Sequence, residues 1–299
     1  MDALTVFARH STLCLRRREL LLAGVSPRSI AAAVHARVII RARRGVYCPA
    51  SAPRHVVRAL RVGGLAACTT AAESYGLWVP EQRITEVWLP RQASRLRAPD
   101  NRRVPLAHAD RSRLRTHWHP LNDPGAADSW RVGAFDAVAQ CVGCLPRDVA
   151  IAVLDSALRT GAIGAHELTA LEVVVPARRR GWVNLADGRA GSGTESLVRL
   201  ALQHAGLRVT PQVWIAGVGR VDLLVGTRVV VEVDSEKWHS TPEQRAEDSR
   251  RDLELIRLGY VVVRVRYGQA FRPDEVVTAV LRAVRTSRSV TAALRHRRS

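Results

Sequence analysis

The sequence predicts a multi-domain α/β protein whose three parts differ in charge and in periodicity. Two short helical patterns and a β-ribbon open the chain, and residues 1–54 hold ten Arg against two acids. The stretch 55–185 mixes helices with short strands, which predicts an α+β middle domain. From 190 onward strand and helix patterns alternate and predict a sheet with helices on both faces. We expect domains at 1–54, 55–185 and 190–286, then a basic tail over 287–299.

The charge of the chain predicts a polyanionic partner. Its 299 residues carry a net charge of +19, with a pI near 11.4, a balance typical of proteins that bind nucleic acid. Lys237 is the only lysine, and a genome-wide bias explains Arg in place of Lys but not the surplus of positive charge. A generally basic, solvated surface is the alternative.

Hydropathy and cysteine usage predict a cytoplasmic protein with no membrane partner. No apolar run approaches the length of about 18 residues that a membrane span needs. The N-terminus lacks a basic segment followed by an apolar one, so export is not indicated. The five cysteines are odd in number and scattered, as expected in a reducing compartment.

The first domain has the pattern of a winged helix-turn-helix. A helix is expected over 16–23, ended by Gly24. A second helix is expected over 27–37, because Ser26-Pro27 supplies an N-cap and a first-turn proline. Val38–Tyr47 then has the pattern of a β-ribbon that turns at Gly45, which completes the order of a helix-turn-helix with a wing. A small helical packing domain is the alternative. In a winged helix the second helix would enter the major groove, and five arginines would meet phosphates: Arg28, Arg37, Arg41, Arg43 and Arg44.

The run GVSPRSIAAAVHARVIIRARRGVYCP resembles the N-terminal winged-helix domain of AbiEi-type antitoxins, where a "GVS" turn, a short helix and an "R-G-V-Y" wing occur in this order. The resemblance implies DNA binding, often autoregulatory, and it does not require a toxin partner. The segment ACTTAAESYGLWVP and the later LPRDVAIAVLDSALRTG are similar to the region C-terminal to the winged helix in that family.

The middle stretch shows no catalytic pattern. We expect helices at 55–62, 66–77, 133–144, 147–160 and 165–173, and strands near 86–89 and 115–119. Cys141 and Cys144 have zinc-like spacing, but no second pair stands at a suitable distance, so two small buried thiols in a core helix are the favoured interpretation. His117 and His119 would share one strand face, as a satisfied or solvent-facing pair.

The stretch from Gly219 to His239 is the most informative in the chain. Two aliphatic runs flank Gly226 and predict a hairpin, into which Asp222, Glu232 and Asp234 are inserted. Carboxylates are rarely buried unless paired or bound to a cation, so a divalent metal held by hard oxygen ligands is the economical explanation. Only a loop of odd length, such as 226–228, or a bulge sets Asp222 opposite Glu232 on one face, so we predict one of these.

The remaining C-terminal elements complete a β/α unit. We expect a linker over 177–193, helices at 194–205, 242–258 and 273–285, and strands at 207–214, 219–225, 228–234 and 260–267, with a frayed tail from Arg285.

This arrangement resembles the PD-(D/E)xK nuclease superfamily with its restriction-endonuclease-like fold, and within it the branch of the very-short-patch repair endonuclease. The matching residues are Val221-Asp222-Leu223, Val231-Glu232-Val233-Asp234, Trp238-His239, Glu195, and Glu247-Asp248-Ser249-Arg250-Arg251-Asp252 leading into Leu258-Gly259-Tyr260. The resemblance implies Mg²⁺ or another divalent cation on Asp222, Glu232 and Asp234, and hydrolysis of a DNA phosphodiester. His239 would act as a general base or orient the attacking water.

Some residues of this set keep an alternative role. Glu195 has a metal role or pairs with Arg199 one turn along its helix. Asp248 and Asp252 are expected in an ion-pair network with Arg245 and Arg251. The lysine that usually stands two residues after the Glu is here Asp234, although this branch often lacks it.

Two functions from different classes are compatible with these patterns. The first is a DNA endonuclease delivered by a winged helix, and the second is an antitoxin-type DNA-binding regulator whose nuclease-fold domain does not cut. The intact set of acids favours the first, because apolar residues would make a purely structural sheet more stable. The oligomeric state is left open, with a homodimer among the options.

Overall fold

The computed structural model describes residues 2–81, 84–107, 110, 112–234 and 242–296. Within this part the chain forms two compact units, one of 1–144 with 162–180 and the other of 145–161 with 181–299. The α/β class predicted from the sequence is confirmed.

The N-terminal part of the first unit has the predicted pair of helices and the predicted ribbon. Ser26 caps the second helix by accepting a hydrogen bond from the Ser29 N–H, and Gly24 takes a positive φ of 84° between the helices. An extra helix and a two-residue strand precede the pair, and the strands form one sheet in the order β1-β3-β2. The elements are α1 (Ala3–Arg9), β1 (Leu15–Arg16), α2 (Arg17–Leu22), α3 (Pro27–His35), β2 (Ile39–Arg43) and β3 (Val46–Pro49).

The rest of the first unit is the predicted mixture of helices and strands around the sheet β4-β5-β6, in which β5 and β6 run parallel. Its elements are α4 (Arg54–Val62), β4 (Leu65–Ala66), α5 (Cys68–Ser74), β5 (Thr85–Trp88), β6 (Leu114–His117) and α6 (Ala134–Cys144). Helix α7 (Arg147–Thr160) then belongs to the second unit, and the chain returns with α8 (Leu168–Val174).

One hydrophobic core joins the two parts of the first unit. Cys14, Ala42 and Cys48 from the N-terminal part are buried against side chains of α4 and β5, such as Leu60 and Val87. The predicted boundary at 54 is therefore crossed by shared packing, and independent folding of 1–54 stays a prediction.

The second unit is a four-stranded sheet between helices. The order is β10-β9-β8-β7, with β10 parallel to β9 and the other pairs antiparallel. The elements are α9 (Arg180–Val183), α10 (Gly193–His204), β7 (Val209–Ile215), β8 (Gly219–Val225), β9 (Val229–Val233), α11 (Pro242–Arg257), β10 (Val261–Val265) and α12 (Pro273–His296).

The helices cover both faces of this sheet, as predicted. Leu202 of α10 and Val280 of α12 pack in one cluster with Val231. Leu255 of α11 packs in a second cluster with Val230. Neighbouring residues of β9 thus point to opposite helical layers, which explains why the strand is apolar at successive positions.

Two expectations about segments outside the sheet are wrong. The stretch 177–193 is not an open linker: it contains α9, and Val183 and Ala190 are buried, because its apolar residues find a place in the second unit. The helix expected to end at 285 continues to His296, since no Pro or Gly interrupts that segment.

Among the helices of the described part, none combines the length and the apolar character needed to span a bilayer.

Candidate functional site

The hairpin of β8 and β9 brings two of the predicted carboxylates together. Val225 pairs with Val229 across a three-residue loop, 226–228. Continuing this register sets Asp222 opposite Glu232, so the predicted odd-length loop is confirmed. Side chains on directly opposed residues share a face of the sheet, and the loop therefore decides that both acids point the same way.

The ladder between the two strands stops where the acids begin. Its last pair is Leu223 with Val231. Beyond it, the Asp222 carboxylate takes the place of a backbone acceptor, since its Oδ2 accepts a hydrogen bond of 2.8 Å from the Val233 N–H. The Asp222 side chain is thereby fixed against the neighbouring strand.

Glu195 reaches the same place from the first turn of α10. Ser192 caps the helix by accepting a 3.2 Å hydrogen bond from the Glu195 N–H. The Glu195 carboxylate in turn accepts hydrogen bonds from the Gly191 N–H at 2.8 Å and from Gln212 Nε2 at 2.7 Å. With only 6% of Glu195 exposed, its carboxylate is held rigidly beside the strands.

The alternative partner suggested for Glu195 is wrong. Arg199 lies 2.8 Å from Asp155 of α7 instead, and the two residues are 2% and 1% exposed. Burial raises the pKa of Asp155 despite the attraction of Arg199. Because Arg199 turns away to α7, Glu195 is left facing the hairpin acids.

Gln212 of β7 is a member of the site that sequence reasoning missed. Its Nε2 donates to Glu195 and also lies 3.4 Å from Asp222 Oδ1, so one amide joins two of the acids. Its backbone has a φ of 53°, a conformation uncommon for a residue with a side chain. A neutral amide in a strand carries no pattern that would have identified it.

Burial and mutual repulsion raise the pKa of two of these acids, Glu232 and Glu195. Burial, followed by the negative charge of Asp222 and a hydrogen bond to it, raises the pKa of Glu232 to about 8, although Arg251 opposes the shift. Burial and then the charge of Asp222 also raise the pKa of Glu195. Carboxylates that repel one another in a poorly solvated place are the electrostatic condition that a bound cation relieves.

The acids open into a cleft of about 600 Å³. Arg251 of α11 approaches Glu232 to 3.4 Å and also donates to the backbone oxygens of Val218 and Arg220. The cleft therefore has acids at its base and cations among its walls. Its lining is Gly191, Ser192, Glu195, Asp222, Glu232, Val233, Asp234, Asp248, Arg251, Asp252 and Arg264.

Asp234 lies at the rim of this cleft. Its side chain is 50% exposed and stands 3.7 Å from Arg264 of β10. Arg264 also binds Asp252 at 2.7 Å, whereas the expected network paired Asp252 with Arg245 and Arg251. Arg251 binds Glu232 instead, and the side chain of Arg245 lies outside the described residues. Asp248 lines the cleft.

The predicted general base His239 lies outside the described residues, as do Lys237 and Trp238. Glu195, Asp222, Glu232 and Asp234 are thus the part of the predicted catalytic set that the structure describes, and Arg264 is a further residue of the cleft that sequence reasoning missed.

Four of the five predicted DNA-contacting arginines are exposed on the N-terminal part. Arg28 lies on α3, Arg37 follows that helix, Arg41 lies on β2, and Arg44 stands in the turn of the wing. Their DNA contacts stay a prediction, and exposed positive side chains are the kind that contacts phosphates.

Arg43 differs from them. It is half-buried, and its guanidinium lies over Gly63, the residue that ends α4 with a φ of 111°. Any side chain at Gly63 would collide with this guanidinium. The position of Arg43 therefore gives it a packing role between the wing and α4.

Two stretches of the chain match protein-family models. Residues 1–50 match the model described as a transcriptional regulator, AbiEi antitoxin, and residues 195–284 match a restriction endonuclease-like model, REase_MTES_1575. Among solved structures, the "Homing Endonuclease I-Bth0305I Catalytic Domain" is 21% identical at a TM-score of 0.28, over 31% of this chain and 95% of that one. A search of curated proteins finds no match. The predicted fusion is confirmed, and both domains imply DNA as substrate or partner.

Proposed function

We propose that this protein is a metal-dependent DNA endonuclease, delivered to DNA by its N-terminal winged helix and acting in the cytoplasm. The observation that carries the proposal is the meeting of Glu195, Asp222 and Glu232 at the base of one cleft in the endonuclease-like domain. A merely structural sheet gains nothing from three acids whose charges oppose one another.

The donor set fits a hard divalent cation such as Mg²⁺. Asp222 and Glu232 would hold the ion, with Glu195 and the rim residue Asp234 completing the set of carboxylate oxygens, the ligands that Mg²⁺ prefers. The pKa of Glu232 is raised by burial and by the charge of Asp222, and a bound cation would offset that repulsion. When bound, the ion would polarise the phosphate and lower the pKa of an attacking water.

The chain's own residues would position the DNA. Gln212 holds Glu195 and Asp222 at fixed separation through its amide. Arg251 and Arg264 line the same cleft, and their guanidinium groups suit the non-bridging oxygens of a phosphate. They are the candidates for the positive charge that the usual lysine supplies. His239 is proposed as the group that accepts the proton of the attacking water.

A second function, an antitoxin-type regulator that binds DNA without cutting it, is favoured by two observations. Asp234 stands where the superfamily usually has its lysine, and residues 1–50 match a family of transcriptional regulators. Under this proposal the C-terminal domain binds nucleic acid or a protein partner, and a homodimer is a suitable form for an autoregulator.

Nicking of supercoiled plasmid separates the two functions. We expect the wild type to nick with Mg²⁺ and to stop with EDTA, and the isosteric variants Asp222→Asn and Glu232→Gln to lose activity by at least about 100-fold, as removal of a transition-state contact does. Glu275→Gln, an exposed acid of α12 paired with Arg272, is the matched control and should cut normally. A folded wild type that shifts DNA on a gel yet never cuts across several divalent metals would favour the regulator.

A further inference from the structure

A cluster of sulfur and nitrogen atoms lies in the first unit. Cys68 begins α5, His117 ends β6 and Cys144 ends α6. One ligand atom of each lies within 4.8 Å of the others, and Cys144 Sγ is 3.8 Å from His117 Nδ1. Three elements therefore deliver their terminal residues to one point.

This convergence changes the interpretation of the Cys141-x-x-Cys144 spacing. The expectation of two buried thiols holds for Cys141 but not for Cys144, which is exposed. The second pair of ligands that the sequence did not show within a suitable distance comes from β6 and α5. Cys141 Sγ also lies 3.8 Å from Cys68 Sγ, so a fourth sulfur stands beside the three-residue cluster.

The spacing suits a tetrahedral ion with soft ligands. With Zn–S bonds of about 2.3 Å and Zn–N bonds of about 2.0 Å, neighbouring ligand atoms of a tetrahedral zinc ion are about 3.5 to 3.8 Å apart. Cys144 Sγ lies 3.8 Å from His117 Nδ1, and the ligand atoms of Cys68, His117 and Cys144 all lie within 4.8 Å of one another. Thiolate and imidazole ligands favour zinc over magnesium or calcium.

The surroundings fix the histidine in the orientation that a ligand needs. His117 Nε2 lies 3.2 Å from Oε2 of Glu86, which is fully buried and is also bound by Arg115 at 2.8 Å. A carboxylate behind one ring nitrogen directs the lone pair of the other toward a metal. Here the other nitrogen, Nδ1, faces Cys144.

The backbone conformation of Cys68 also helps to fix the position of its thiol. Its φ is 47°, in the left-handed region that a residue with a side chain rarely adopts. Its N–H donates a 2.8 Å hydrogen bond to Gln140 Oε1 of α6. The thiol is therefore presented to α6 by a conformation that an ordinary helix start would not adopt.

We propose that Cys68, His117 and Cys144 bind a structural zinc ion in the first unit, and that Cys141, which lies beside Cys68 but outside this three-residue cluster, moves in as the fourth ligand when the ion binds. The site is separate from the carboxylate cleft in its residues and in its ligand chemistry. The ion would tie α5, α6 and β6 together, and the exposed Cys144 gives it access from solvent.

Cobalt substitution of the reduced, full-length chain tests this directly. Tetrahedral Co²⁺ with thiolate ligands gives strong visible d–d bands and a near-ultraviolet sulfur-to-metal charge-transfer band, which carboxylates do not give. We expect these bands to saturate at one equivalent of Co²⁺ and to disappear on addition of Zn²⁺. Cys144→Ser and His117→Asn should bind Co²⁺ at least about 10-fold more weakly, because loss of even a group that only orients a metal ligand costs about 10- to 100-fold in affinity.

Cys48→Ser is the matched control, because Cys48 is buried in the same unit but outside the cluster, and it should keep the full spectrum. Circular dichroism checks that each variant is folded, and the exposed position of Cys144 makes its variant the safest. Absence of a sulfur-to-cobalt band in the reduced wild type, or an unchanged band in both ligand variants, would overturn the proposal. A native Cys68–Cys141 disulfide, together with the absence of bound metal once that disulfide has been reduced, would also overturn the proposal.

Discussion

Replacing Glu232 by Gln should stabilise the metal-free protein at alkaline pH, although the substitution removes a charge that the enzyme is proposed to need. Glu232 has only 14% of its side chain exposed. Burial and the neighbouring Asp222 raise its pKa from 4.5 to about 8. The folded state therefore keeps this proton at pH values where the unfolded chain has released it.

The sign and size of the effect are set by proton linkage. Because the folded state binds more protons, the free energy of unfolding falls as pH rises from about 4.5 to about 8 and then levels off. At about 1.4 kcal/mol per pKa unit the cost at pH 8 and above is at most about 5 kcal/mol. Glutamine carries no charge at any of these pH values, so Glu232→Gln avoids this cost.

Chemical unfolding in EDTA at pH 5.5 and pH 8.5 measures this pH-dependent difference in the free energy of unfolding. We expect the stability advantage of the variant over the wild type to be larger at pH 8.5 than at pH 5.5 by about 3 kcal/mol, because pH 5.5 already lies about one unit above the pKa of an unfolded Glu and only about 1.4 kcal/mol of the cost is present there. Glu275→Gln, with a half-exposed carboxylate in the same unit, should show no such pH dependence. Saturating Mg²⁺ should raise the melting temperature of the wild type more than that of Glu232→Gln, because ligand binding to the folded state stabilises it.

Equal stability differences between wild type and variant at the two pH values would refute the argument that burial and Asp222 control this carboxyl. A melting temperature that Mg²⁺ raises equally in both proteins would instead refute the role of Glu232 as a ligand. The two failures are separate, since the first concerns the metal-free fold and the second the ion.

Three further predictions concern other contacts. Asp155→Ala leaves Arg199 buried without its partner and should lower the free energy of unfolding by roughly 3 to 5 kcal/mol in urea; a loss below about 1 kcal/mol would contradict the buried pair. Arg44→Ala should weaken DNA binding and reduce the slope of the log binding constant against the log salt concentration by about 0.9. Arg43→Ala should lower the free energy of unfolding and leave that slope unchanged. Equal slopes for the two variants would contradict the different placement of the two arginines. Gln212→Ala should reduce nicking rate with little change in melting temperature, and unchanged nicking kinetics would exclude its positioning role.

The placement of the hairpin acids was predictable from the sequence because it depends only on residues that are close together in the chain. A strand has a period of two, so the loop length alone determines that Asp222 and Glu232 share a face. The N-cap at Ser26 was predictable for the same reason, since the side chain bonds to a backbone N–H three residues on. Local spacing thus predicted both the shared face of Asp222 and Glu232 and the start of α3.

Contacts between distant residues could not be predicted in this way. Arg199 and Asp155 are 44 positions apart, and an i+4 rule offered Glu195 as the nearer partner. His117 and Cys144 meet only because β6 and α6 end at the same place. No periodicity in the sequence specifies how the ends of two separate elements approach, so the missed residues are those that depend on tertiary packing.

The path of the chain between the two units limits how the protein can be divided. Since α7 belongs to the second unit while 162–180 returns to the first, no single cleavage separates them. A fragment beginning at 190, where the sequence suggests the catalytic domain starts, would lack Asp155 and leave the guanidinium of Arg199 without its carboxylate. The endonuclease-like domain therefore depends for its integrity on a helix encoded more than thirty residues before its family signature begins at 195, and recombination that moved the signature alone would deliver an incomplete fold.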